Sequence, residues 1–257
     1  MKIIESFLTK HRCYKSDRRI KVKGLMLHSV GVNQPSTSAF LRSWNSDSKV
    51  ECVHAFIDAN TGDIHQTLPW KHRANHCGGS GNSTHIGIEM CEPHCIKYTS
   101  GSLFTCPDSD IAAARRMVKR MYNSAVELFA KLCIEHGLDP MANGVIVSHR
   151  EGYDLGIASN HGDPEHLWKG LNTGYTMDKF RMAVRDAMDK SFLIKVSIDH
   201  LNMRTGPSTN YPRIGYIPVG VFTIIEINGA WGKLKSRQLY KGKFVDAWIH
   251  MGYVTKL

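Results

Sequence analysis

Three side chains of the kind a metal ion takes up stand at intervals along this sequence: His28, His149 and Asp163. His28 ends the apolar run Leu25 to Leu27 in KGLMLHSVG, and His149 follows Val145-Ile146-Val147. The segment SHREGYDLGIASNHGDP carries His149 and, fourteen positions later, Asp163, with His161 two residues before it. Glu89 closes another apolar run, in HIGIEMCEP. Two neutral imidazoles and one carboxylate leave the fourth position of a tetrahedral zinc open, which is the pattern of catalytic rather than structural sites. A water in that position has its pKa lowered towards neutrality. The outline is that of a hydrolase.

Each residue also has a plainer reading. The chain holds 14 His, and a single histidine is ordinarily a surface or hydrogen-bonded one. Asp163 before Pro164 suits a turn or a helix start, because Asp accepts backbone N–H bonds there. Glu89 alone reads as a surface carboxylate at a strand end. His149 stands out because α/β folds place their sites at strand ends. The joint pattern, not any one member, carries the reading.

The elements that must position these residues alternate between strand and helix. Strands are expected at Val22 to Leu27, Val53 to Asp58, Asp63 to Leu68, Ile86 to Met90 and Val145 to Ser148. The stretch Ala59-Asn60-Thr61-Gly62 joins the second and third as a hairpin, with Gly62 free to take positive φ. Pro35 and Ser36 open a short helix carrying Phe40 and Trp44. The longest helix is expected from Asp108 to His136. Its apolar stripe is Ala114, Val118, Met121, Ala125, Leu128, Phe129 and Leu132, and Gly137 and Pro140 stop it. A last helix runs from Thr176 to about Lys190, with Met177, Phe180, Val184, Ala187 and Met188 on one face. The result is an α/β domain, a mixed β-sheet flanked by helices, over residues 1–190.

Beyond Ser191 helical periodicity vanishes. Short β-rich runs appear at Leu193 to Ile198, Gly220 to Ile227, Gly232 to Lys235 and Val245 to His250. Turn formers break them at Thr205 to Ser208 and at Asn228-Gly229. Residues 191–257 therefore read as a small all-β barrel.

Charge points to an anionic target. Lys and Arg number 33 against 23 Asp and Glu, a net charge of +10. Residues 191–257 hold 9 basic and 3 acidic side chains, so more than half of the excess lies in the smaller domain. There are no zinc-finger pairs and no RNA-binding aromatic motif, so nucleic acid is not the expected partner. No run approaches the ~20 apolar residues of a membrane span, and the N-terminus lacks the apolar core of a signal peptide. A start in the cytoplasm without membrane insertion is expected. The seven Cys, an odd number, read mainly as buried free thiols. Cys91, Cys95 and Cys106 near His94 do not have the C-x2-C spacing of a structural zinc site.

The strings LHSVG, VHAFIDANTGDIHQTLP, RANHCGG, HIGIEMCEP and VSHREGYDLGIASNHGDPEHLW resemble the zinc amidases that cut N-acetylmuramoyl-L-alanine bonds in peptidoglycan. That family includes many phage endolysins and is related to the peptidoglycan recognition proteins. The resemblance spans roughly residues 20 to 190, with five blocks in the right order, and is to enzymes of Firmicute phages and prophages. It implies Zn2+ held by His28, His149 and Asp163, and Glu89 as the catalytic carboxylate. His161 falls where many relatives carry a Lys, so it is the second catalytic candidate. Val53 stands where some smaller phage members use a Tyr, which leaves the base role to Glu89. LNMRTGPSTNYPRIGYIPVG, WGKL and AWIHMGYV resemble the bacterial SH3-like domain, some members of which bind cell walls. The resemblance implies an endolysin released through a holin-type lesion onto a Gram-positive wall. Two other readings stay open: a catalytically silent muropeptide-binding module, and a zinc peptidase cutting stem peptides, for which no H-E-x-x-H is present. The C-terminal domain is a wall binder, a spacer or a dimer contact.

Overall fold

The computed structural model describes residues 2–189 and 191–257. The chain divides into two compact units, Met1–Met188 and Asp189–Leu257. Lys190, the expected end of the first domain and of its last helix, lies outside the described residues.

In the first unit, β1 (Ile3–Glu5), α1 (Arg12–Lys15), β2 (Gly24–Ser29), α2 (Thr37–Trp44), β3 (Ala55–Ile57) and β4 (Ile64–Gln66) come first. Then follow β5 (His85–Met90), β6 (Lys97–Ser100), β7 (Leu103–Thr105), α3 (Asp108–His136), β8 (Ile146–Ser148), α4 (His149–Asp154), α5 (Glu165–Gly170) and α6 (Met177–Met188). Six strands form one mixed sheet in the order β1-β4-β3-β5-β2-β8. β2 lies between β5 and β8, parallel to both. Every residue of β2 is buried, and so are five of the six in β5. Central parallel strands are covered on both faces, so they read as continuous apolar runs.

The long helix occupies its expected span. Pro107 precedes α3, Asp108 and Asp110 sit in its first turn, and Gly137 leaves it at φ 65°. Acidic groups suit the positive helix N-terminus, and glycine adopts the left-handed exit without strain. All seven stripe residues are buried. α3 packs on α6 through Phe129 and Phe180, ring centroids 5.1 Å apart. On α6, Met177, Phe180 and Val184 are buried, but Ala187 is exposed. Met188, the last residue of the helix, is half-buried against the main core.

In the first unit, two pairings have no counterpart among the expected elements. β1 adds to the sheet edge in parallel with β4, and β6 and β7 form a separate two-stranded hairpin. All seven Cys are free, and only Cys106 is less than buried. Cys91 packs into the main core and joins no cluster of metal donors among the described residues. No described helix is long and apolar enough to cross a membrane.

The second unit contains β9 (Phe192–Val196), β10 (Leu201–Arg204), β11 (Arg213–Ile217), β12 (Gly220–Asn228) and β13 (Trp231–Leu234). β14 (Gln238–Tyr240), β15 (Lys243–Val245), β16 (Trp248–His250) and β17 (Val254–Lys256) complete it. Seven of these strands pair in the order β11-β10-β16-β13-β12-β9-β17, all antiparallel. β14 and β15 form a separate hairpin. One apolar cluster, including Ile194, Val196, Ile217, Ile224, Leu234 and Ile249, fills its core. A single antiparallel sheet encloses such a core by curling on itself, as small barrels do. The run expected from Val245 to His250 is split between β15 and β16.

Candidate active site

His28 sits inside β2, and the register places it beside Glu89 of β5. Paired residues of adjacent parallel strands project to the same face. His149 is the first residue of α4, immediately after β8. Its position is fixed by a capping box: Ser148 Oγ accepts from Glu151 N–H at 3.0 Å, and Glu151 Oε2 accepts from Ser148 N–H at 3.2 Å. Glu151 is clamped in turn by both guanidinium nitrogens of Arg181, at 2.8 and 3.0 Å. Asp163 lies two residues before α5, and its Oδ2 accepts from Ser29 N–H at 3.3 Å.

These elements bring three donors together. His28 Nδ1 and His149 Nδ1 are 3.0 Å apart, and Asp163 oxygens lie 3.3 Å from the first and 3.5 Å from the second. All three residues are buried. Bonds of about 2.0–2.1 Å would separate tetrahedral zinc donors by about 3.3 Å, so the spacing fits.

Hydrogen bonds around the site decide which ring nitrogens face the centre. His76 Nε2 lies 3.1 Å from the His85 carbonyl, which can only accept. His76 Nε2 therefore donates, and its Nδ1 accepts from His28 Nε2 at 3.0 Å. His28 Nδ1 is left as a bare lone pair. On the other side, Ser159 Oγ donates to the Cys77 carbonyl at 3.2 Å and so accepts from His149 Nε2 at 3.3 Å. His149 Nδ1 is bare as well. Two lone pairs and a carboxylate facing one another in a buried place repel unless a cation lies between them. Protonating His28 is opposed by burial, which lowers its pKa. The donor set therefore fits a divalent metal such as zinc.

Glu89 is half-buried, and its Oε2 has no hydrogen-bond partner. Burial raises its pKa well above the usual carboxylate value, and the charges of Asp163 and Glu92 add to the rise. A bound cation acts in the opposite direction. His161 is exposed, and its ring stacks on that of His149 with centroids 4.6 Å apart. The five residues singled out in the sequence thus fall in one region, Glu89 beside His28 in the sheet and His161 against His149.

His76 and Ser159 were not singled out, because a role exerted through another side chain leaves no spacing signal. His76 lies in RANHCGG, and Gly87 makes room for it: a Cβ there would meet the His76 ring at 2.4 Å. Glu92 was also missed. It is fully buried, and its Oε1 accepts from Gly31 N–H at 3.0 Å, just beyond His28. Tyr98 donates to its Oε2 at 2.7 Å and accepts from His166 Nε2 at 2.7 Å. Burial pushes the Glu92 carboxyl up to about 7. This bridge connects the segment after His28 with the helix that follows Asp163.

The N-acetylmuramoyl-L-alanine amidase family matches residues 18–166, and the bacterial SH3 domain matches residues 199–255. No curated protein matches the sequence. Among solved structures, the Staphylococcus aureus hydrolase AmiA, in complex with its ligand, is similar at a TM-score of 0.53 and 20% identity. That similarity covers 73% of this chain and 83% of that one. The catalytic domain of XlyA gives a TM-score of 0.50 at 20% identity, over 72% of this chain and 99% of its own. The PlyG catalytic domain gives 0.50 at 14% identity, over 73% and 96%. At such identities the likeness concerns the fold, a mixed α/β sheet flanked by helices. The family match spans more than half of the chain, so the chain belongs to the N-acetylmuramoyl-L-alanine amidase family, an enzyme of that class followed by a bacterial SH3 domain.

Proposed function

We propose that the chain hydrolyses the amide between N-acetylmuramic acid and L-alanine with a zinc ion held by His28, His149 and Asp163. The observation that carries this reading is the pair of bare Nδ1 lone pairs 3.0 Å apart beside a buried carboxylate. When bound, zinc supplies Lewis acidity to a water and to a carbonyl oxygen. Glu89 takes a proton from the attacking water, for which a raised pKa suits it. The water oxygen then adds to the lactyl carbonyl carbon. His161, at the exposed edge of the triad, donates a hydrogen bond to the developing oxyanion. As the C–N bond breaks, Glu89 returns the proton to the departing L-alanine amine. His76 and Ser159 hold the two imidazoles in the required tautomer throughout.

The basic second unit serves as the attachment to a polyanionic Gram-positive wall, to which long-range attraction speeds encounter. The full protein acts as a phage or prophage endolysin, made in the cytoplasm and released to the wall. The test is digestion of purified walls with and without a chelator. New L-alanine amino termini without new reducing sugars, lost on chelation and restored by zinc, are expected. New reducing ends would overturn the assignment, and binding without any cleavage would make the chain a recognition module. His161→Ala should lower turnover with metal retained, and undiminished turnover would remove His161 from the reaction.

A further inference from the structure

Four of the seven thiols meet in two pairs. Cys13 and Cys52 lie in a buried cluster with His11. Cys95 and Cys106 bring their sulfurs to 3.0 Å at the base of the β6–β7 hairpin. Cys106 follows Thr105 directly, Cys95 stands two residues before Lys97, and Lys97 pairs with Thr105. The pair belongs to no group of three metal donors among the described residues.

We infer that Cys95 and Cys106 are an oxidation site that forms a disulfide closing the base of this hairpin, with a low-molecular-weight disulfide as the oxidant. Only one sulfur needs to be reached from solvent, and Cys106 is the one thiol that is not buried. The Cys106 thiolate attacks one sulfur of the small disulfide, whose S–S bond breaks and releases one thiolate. The Cys95 thiolate then attacks the Cys106 sulfur, and the second small thiol leaves. The protein pair loses two electrons and two protons, and the small disulfide becomes two thiols. The sulfurs need to close by about 1 Å to reach bonding distance. Burial, the neighbouring Cys95 and the carboxylates Asp110 and Asp108 push the Cys106 thiol up to about 12. A destabilised thiolate slows the first attack, but it also makes the finished bond hard to reduce, as in a structural disulfide.

The hairpin so closed forms part of the surroundings of the metal triad. Tyr98 bridges Glu92 and His166, and Phe104 packs flush on α5, where a Cβ at Gly170 would meet its ring at 2.4 Å. A protein moving from a reducing interior to an oxidising exterior would gain a staple there after release.

The test uses the full-length chain incubated with oxidised glutathione and then mapped by peptide mass spectrometry. A Cys95–Cys106 cross-linked peptide is expected, with a Tm rise of about 5 °C that a reductant reverses. Cys106→Ser and Cys106→Ala should lose both the cross-link and the Tm rise while folding as the reduced protein does. Seven free thiols after incubation would overturn the inference. So would a bond mapped to Cys13 and Cys52 alone, or the same Tm rise in both Cys106 variants.

Discussion

The two units treat polar side chains in opposite ways. Among the described residues, every buried polar or charged side chain lies in the first unit, including His28, His54, His76, Glu92, His149 and Asp163. The core of the second unit is a single apolar cluster. Burying an imidazole or a carboxylate is costly unless it is hydrogen-bonded or bound to a metal. The first unit therefore carries groups that stability alone would exclude, and its chemistry lies inside. The second unit exposes its distinctive groups instead, among them Tyr211, Tyr216, Leu239 and Phe244. One is built as a site, the other as a surface.

That contrast breaks most sharply at the triad. His28→Ala, His149→Ala and Asp163→Ala should each bring turnover below detection, with metal content falling in step by elemental analysis. A metal-free His149→Ala protein with full activity would refute the proposed centre. Glu89→Gln should next cost roughly 10²–10⁴-fold in turnover, since a neutral amide cannot take up the proton. Its metal content and circular dichroism should stay unchanged, and near-native rates would move the base role elsewhere.

A buried partner of a ligand sharpens the comparison further. His76→Gln should weaken metal affinity by roughly 10–100-fold in a competition titration, because His28 loses the acceptor that fixes its tautomer. Unchanged affinity would reduce His76 to a packing residue. The smallest effect is expected from removing residues 189–257. The remaining unit has its own core and should cleave soluble muropeptides at an unchanged rate. Its binding to intact walls should fall about tenfold at low salt and less at high salt. Equal wall binding by both forms at either salt would make the second unit a spacer or a dimer contact.

Long periodic elements were legible from residues alone. The stripe from Ala114 to Leu132 predicted α3, and the runs before His28, Glu89 and His149 located three adjacent strands of the sheet, the last of them its edge, with His28 falling inside its strand rather than after it. Short elements without a periodic signal were not. β1 has three residues, and its strand character comes only from pairing with β4. The β6–β7 hairpin was missed for the same reason, and with it the meeting of Cys95 and Cys106.

The sequence by itself determined the candidate donors, their order along the chain, the alternation of strand and helix, and the change to an all-β second half. These follow from side-chain chemistry and local periodicity, which depend on near neighbours. Only the tertiary structure decided which nitrogen of each histidine faces inward. That choice rests on carbonyls of His85 and Cys77, 57 residues from His28 and 72 from His149. A backbone carbonyl accepts hydrogen bonds whatever side chain its residue carries, so no sequence pattern marks it. The tautomers, and with them the two lone pairs that face each other, arise only when the sheet closes.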